Sequence, residues 1–179
     1  MQTHLVLTVI GPDRPGLIRA VAEEIAAADG SWLESRMASL AGQFAGIVLA
    51  TAPLPKVEAL IERLNALASQ GLRLAIERGS DEPAPRADRS LRLELLGQDR
   101  PGIVRDIAAV LAEQRISVEE LETETQSGSF SGETLFKATA RLRVPAAVAT
   151  ATLRAALEDL ANELMVDISL EESAPAGAS

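Results

Sequence analysis

The chain has 179 residues, a net charge of −9 and no cysteine, and its aromatic residues are one Trp and three Phe. The acidic balance and the dispersed arginines argue against broad binding to a phosphate backbone, and the few aromatics leave no stacking stripe for single-stranded nucleic acid. Without cysteine there is no disulfide, thiolate nucleophile or cysteine metal site, and the cores must be built from Leu, Ile, Val and Ala.

Leu5, Leu7 and Val9 alternate with Val6, Thr8 and Ile10. So apolar a run predicts a strand that is central in a sheet or buried on both faces. Gly11-Pro12 ends it. Asp13 is placed to cap a helix and Pro15 suits a first helical turn. Leu17, Ile18, Val21, Ala22 and Ile25 then form one helical stripe, which Gly30 is expected to close. Residues 31–40 read as a strand, Gly42 as a turn and 44–52 as the returning strand. Pro53-Leu54-Pro55 opens a second helix with the stripe Val57, Leu60, Ile61, Leu64 and Leu67. Gly71 ends it, and Leu72, Leu74 and Ile76 alternate as a last strand.

The chain then repeats itself. Gly11-Pro-Asp13-Arg14-Pro15-Gly16 returns as Gly97-Gln-Asp99-Arg100-Pro101-Gly102, each position displaced by 86. That spacing is too long for a solenoid unit and long enough for a small domain. The same displacement carries Leu5, Leu7 and Val9 onto Leu91, Leu93 and Leu95, and the first helical stripe onto Ile103, Val104, Ile107, Ala108 and Leu111. Residues 117–125 and 133–144 give the second hairpin, with a longer tip at 126–132. Leu153, Leu157, Leu160 and Leu164 give the helix, and Val166, Ile168 and Leu170 the closing strand. The expected organisation is a domain at 1–79, a Pro- and charge-rich linker at 80–89, a second domain at 90–172 and a disordered small-residue tail at 173–179. Each domain has the strand–helix–strand–strand–helix–strand order of a ferredoxin-like α+β fold, a four-stranded antiparallel sheet with two helices on one face.

The Asp-Arg-Pro-Gly turns lead the candidates for chemistry. Free N–H groups and the positive dipole end at a helix start attract anions. Gly16 and Gly102 would let a carboxylate approach the backbone, and Asp13 or Asp99 would meet an ammonium. The pair is complementary to a free amino acid. The alternative is plain capping, with Asp as cap, Pro as starter and Gly relieving crowding. The second strands open on Ser31-Trp32-Leu33-Glu34 and Ser117-Val118-Glu119-Glu120, again 86 apart, where a neighbouring module's turn can lie. Trp32 reads as a core or interface residue as well as a ligand contact. Catalysis is poorly supported, because His4 is the lone histidine and no phosphate loop or nucleophile set is present. The acidic run 119–124 suits a hard cation or, more ordinarily, the solvated face of an edge strand. No apolar stretch reaches the ~20 residues of a spanning helix. The first ten residues lack a basic region and a cleavage site, so a cytoplasmic location is expected.

A strand followed by Gly-x-Asp-Arg-Pro-Gly-[Leu/Ile]-[Ile/Val] and an apolar helix resembles the ACT domain, a ferredoxin-like small-molecule sensing module. Two copies with little else are similar to the glycine cleavage system transcriptional repressor family. Trp32-Leu-Glu-Ser-Arg36-Met-Ala-Ser-Leu40 and Val118-Glu-Glu-Leu-Glu-Thr123 also resemble that family's second strands. Similar turns occur in formyltetrahydrofolate deformylases and regulators of nucleotide metabolism, which carry catalytic domains not seen in this chain. The resemblance implies a regulator that is not an enzyme and needs no cofactor or metal. It implies amino acid binding, glycine among the candidates, at interfaces between ACT modules. On this sequence that means Asp13, Arg14, Pro15, Gly16, Leu17 and Ile18 with Trp32 and Leu33, and Asp99, Arg100, Pro101, Gly102, Ile103 and Val104 with Val118 and Glu119. It further implies repression through contact with a DNA-binding activator rather than with DNA, and a homodimer is plausible. Ser-Trp-Leu against Ser-Val-Glu at the second-strand start leaves open that one site is purely structural. A ligand-independent interaction module, or a regulatory subunit of an amino-acid-metabolism enzyme, is the rival reading.

Overall fold

The computed structural model describes residues 1–79, 89–127 and 133–172. Of the linker expected at 80–89 and the hairpin tip expected at 126–132, residues 80–88 and 128–132 lie outside the described residues, as does the tail at 173–179, while 126 and 127 belong to the strand before the tip. The chain divides into two compact units, Met1–Pro83 and Ala84–Ser179, and each is taken by itself.

The first unit runs β1 (Gln2–Pro12), α1 (Leu17–Ala27), β2 (Ser31–Leu40), β3 (Gln43–Pro53), α2 (Val57–Ala66) and β4 (Arg73–Arg78). The second repeats it as β5 (Arg89–Gln98), α3 (Ile103–Glu113), β6 (Ser117–Ser127), β7 (Thr134–Val144), α4 (Thr150–Leu164) and β8 (Val166–Glu172). Both sheets are antiparallel, in the orders β2-β3-β1-β4 and β6-β7-β5-β8. This is the ferredoxin-like α+β fold, present twice.

The strand pattern puts β1 in the interior of its sheet, yet it is buried on one face only. Leu5, Leu7 and Val9 are at most 1% exposed, while Val6 and Ile10 are half-buried and Thr8 is exposed. The inner face meets Leu17, Val21 and Ile25 of α1 and Val57, Leu60 and Leu64 of α2 in one apolar cluster. Burying each such Leu or Ile contributes about 1.5–3 kcal/mol. Leu91, Leu93, Leu95, Ile103, Ile107 and Leu111, with Leu153, Leu157, Leu160 and Leu164, do the same in the second unit.

The outer sheet faces differ. In the first unit cross-strand neighbours pair Val6 with Leu49 and Thr8 with Ile47. In the second, Arg92 faces Arg141 and Leu96 faces Lys137. There Arg141 pairs with Glu120 at 2.8 Å, and Lys137 with Glu124 at 3.4 Å.

Three local readings need correction. Asp13 does not cap α1. Its N–H donates to Gly42 O at 2.9 Å and its carboxylate accepts from Ser39 Oγ at 2.6 Å, so it is tied to the β2–β3 hairpin tip. The cap position falls to Gly16, and no side chain caps the helix. Gly30 is not the left-handed residue that ends α1. Asp29 is, at φ 53, and the Asp29 N–H to Ala26 O and Gly30 N–H to Ile25 O bonds close the helix. Gly30 is required by crowding instead, since a Cβ there would stand 2.5 Å from Thr51 O. Arg89 belongs to β5 rather than to the linker, because its guanidinium donates to Thr150 Oγ1 at 2.8 Å and to Val148 O.

A carboxylate at a helix C-terminus sits against the dipole. Asp29 is compensated by an ion pair with Lys56 Nζ, whose hydrogen bond and charge hold its carboxyl below the ordinary value of 3.8. A depressed carboxyl stabilises the native state at neutral pH, and the contribution is lost as pH falls through the folded-state value. Lys56→Met should return the Asp29 pKa towards 3.8 and remove that acid-side loss, read by NMR titration of the Asp29 carboxyl carbon and by thermal melts from neutral pH downward.

Candidate ligand-binding site

In the first unit the turn after β1 forms an open depression lined by Asp13, Arg14, Pro15, Gly16, Leu17 and Ile18, joined by Arg19 and Phe44. The structure thus brings together the six turn residues expected from the sequence. Phe44 was missed. Its signal was the hairpin register, which sets it across from Gly11. Arg14 is tied down by a hydrogen bond from its guanidinium to Gln70 O. Leu17 is 5% exposed and spends its side chain in the core, whereas Ile18 is 50% exposed.

The motif's glycines have separate physical reasons. Gly16 and Gly102 have φ values of 95° and 100°, where a side chain is strained. Crowding does not select Gly16, since nothing lies within 4 Å of the position its Cβ would take. That space opens onto the start of α1, whose first N–H groups have no intrahelical acceptor. Gly11 and Gly97 instead allow close approach of the backbone that leads into the last strand and of the last strand itself, respectively. A Cβ on Gly11 would lie 3.0 Å from Gly71 O, and one on Gly97 would collide with Val166.

Trp32 and Leu33 do not join the turn of their own unit. Trp32 pairs with Ala50, which pairs with Leu5, while the turn follows Pro12. Seven strand residues at about 3.3 Å each separate them by roughly 23 Å. Trp32 is half-buried against the core, and Leu33, the extra residue of a β-bulge, is 50% exposed.

In the second unit the Asp99 N–H donates to Thr134 O at 2.8 Å. Arg100 lies close enough to Asp106 to help lower its carboxyl, the larger cause being the hydrogen bond from Arg105. Pro101 is exposed, and Gly102 caps α3. Ile103 is 2% exposed and belongs to the core, so it cannot reach a ligand without the fold opening. Val104, near the start of α3, and Val118, at the start of β6, both line an apolar cleft between the helix and the strand, together with Leu93, Ile107, Ala108, Leu111, Leu121, Phe136, Ala138 and Ala140. Glu119 faces away, within 3.4 Å of Arg141 and 3.9 Å of Arg143. The acidic run is therefore a salt-bridged outer face. Among the described residues no group of three or more acids or histidines is placed to hold a metal.

Models of the ACT domain match residues 3–77 and 86–162. The chain belongs to the ACT-domain family. It is 24% identical over 165 residues to the glycine cleavage system transcriptional repressors of Escherichia coli and Shigella flexneri, covering 91% of this chain and 86% of each relative. A crystal structure of an unknown protein from Galdieria sulphuraria shares 32% identity with a TM-score of 0.88, over 97% of this chain and all of that one. Both ACT units thus carry the same turn with the same left-handed glycine. No helix among the described residues is long and apolar enough to cross a membrane.

Because the left-handed φ selects glycine at both ACT turns, with Arg105 also standing 3.0 Å from a Cβ at Gly102, Gly16→Ala and Gly102→Ala should each cost about 1–2 kcal/mol of stability. Urea denaturation of the two variants against the parent chain measures this, and a neutral effect would show that the turns relax.

Proposed function

We propose that this protein is a non-catalytic regulator that binds a small amino acid at its ACT turns and passes occupancy to transcription through a DNA-binding activator. The observation that carries the reading is the Asp-Arg-Pro-Gly helix start, kept in both units with the same left-handed glycine and with open space at Gly16. Backbone N–H groups there would take the ligand carboxylate, and Asp13 or Asp99 the ammonium. Glycine is the first candidate, because the two bacterial relatives are described as repressors of the glycine cleavage system.

Within one unit the turn and the start of the second strand stand at opposite ends of the sheet. A site using Trp32, Leu33 or Val118 beside a turn therefore takes two ACT units. Such a ligand favours one packing of units over another, and that preference is what a partner protein would read. The net charge of −9 favours a protein partner over direct contact with DNA. A cytoplasmic location and a dimer accompany this reading. The rival is a ligand-independent interaction module or an enzyme's regulatory subunit.

A thermal-shift screen of the chain against the twenty amino acids tests the proposal. One or two small amino acids should raise the melting midpoint, by an amount equivalent to about 2.7 kcal/mol at a hundredfold excess over Kd. Asp13→Asn combined with Asp99→Asn should reduce that shift. A uniform absence of shifts supports the interaction module instead.

A further inference from the structure

We propose that the outer sheet face of the first unit is the contact surface of a two-fold dimer, laid against the same face of a second copy of the chain. Residues paired directly across strands share a face, so the register sets this surface out in rows. One row runs Glu34, Leu49, Val6 and Glu77. The next runs Arg36, Ile47, Thr8 and Ala75, and the third Ala38, Ala45, Ile10 and Arg73. The helices pack on the other side of the sheet. The two central strands present apolar side chains apart from Thr8, and Ile47 is 54% exposed. The charges of these rows stand on the edge strands β2 and β4. An apolar centre inside a charged rim is the make-up of a protein contact surface. From His4 to Pro12 the face measures about 26 Å by about 19 Å at ordinary strand spacings. Two such faces together offer on the order of 1,000 Å², the lower bound of a specific interface.

Self-complementarity selects a second copy as the occupant. A two-fold axis lying in the face, across the strands at Thr8, reverses the order of the rows. It brings Arg73 opposite Glu77 of the second copy, and Glu77 opposite its Arg73. Both are exposed and make no ion pair among the described residues, so the contact supplies each with a partner. The same axis sets Leu49 over Ala45, large against small, and Thr8 over Thr8, whose hydroxyls donate and accept between them. Arg36 meets its counterpart at the rim, each held by its own Glu34 at 2.7 Å. An axis along the strands would oppose Glu34 and Glu77 instead, which like charge disfavours. The outer face of the second unit is no counterpart. Arg92, Glu94, Lys137 and Arg141 stand on its central strands and would lose hydration against Ile47 and Leu49. A two-fold contact closes on itself, so assembly through this face stops at two copies.

This dimer rests on the sheet face and not on amino acid binding at the turns, so the two readings are tested separately. Sedimentation velocity of the full chain over a range of concentrations is the test, with a monomer–dimer equilibrium expected. Ile47→Glu opposes two carboxylates on the axis and should weaken the dimer by at least about tenfold, whereas Leu121→Glu in the second unit should leave it unchanged. Should dichroism show Ile47→Glu unfolded, Ala75→Glu places the same charge on the axis from an exposed position. Arg73→Glu and Glu77→Arg each set like charges face to face and should each weaken the dimer. Mixed in equal amounts, those two variants should dimerise again, now as unlike pairs. A chain that stays monomeric to its solubility limit, a dimer that survives the carboxylate on the axis, or charge variants that do not restore each other would overturn the proposal.

Discussion

Burying only one face of a four-stranded sheet under two helices is the constraint on which the rest of each unit depends. Strand residues must alternate, so Leu5, Leu7 and Val9 point inward and Thr8 outward. The helices must present stripes at i, i+4 and i+8, as Leu17, Val21 and Ile25 do. Coverage runs thin at the edge strands β2 and β6, most of whose residues are exposed. On β2, Trp32 and Met37 pack half-buried against the core, and on β6, Val118 and Leu121 line an apolar cleft.

The same constraint frees the outer faces to diverge. The first unit presents Val6, Ile47 and Leu49 there, and the second presents an arginine, lysine and glutamate lattice. Exposed ion pairs of this kind add little stability. Their effect is on what the surface tolerates against it. One fold thus offers two chemically unlike surfaces.

Much of this was legible in the sequence, because it follows from period and punctuation. The helical stripes, both hairpins and the duplicated turn could be read from neighbours a few positions apart. What could not be read depends on partners far along the chain. Asp13 looks like a cap until Ser39, 26 positions on, claims its carboxylate. Arg89 looks like linker until Thr150 accepts from it. Gly30 looks like a helix stop, yet what demands it is the carbonyl of Thr51. For the candidate site, the turn was visible as a repeat, but its distance from Trp32 follows only from the strand register. Ile103 looked available and is core.

Trp32 has a consequence of a different kind. It is the chain's single indole chromophore, and it is seated against the core of the first unit alone. Intrinsic emission therefore witnesses one half of the molecule, while far-ultraviolet dichroism sums both. Superimposable unfolding curves from the two signals would mean that the copies melt as one cooperative body. Curves that part would resolve the duplication into two separately melting halves, with no label added.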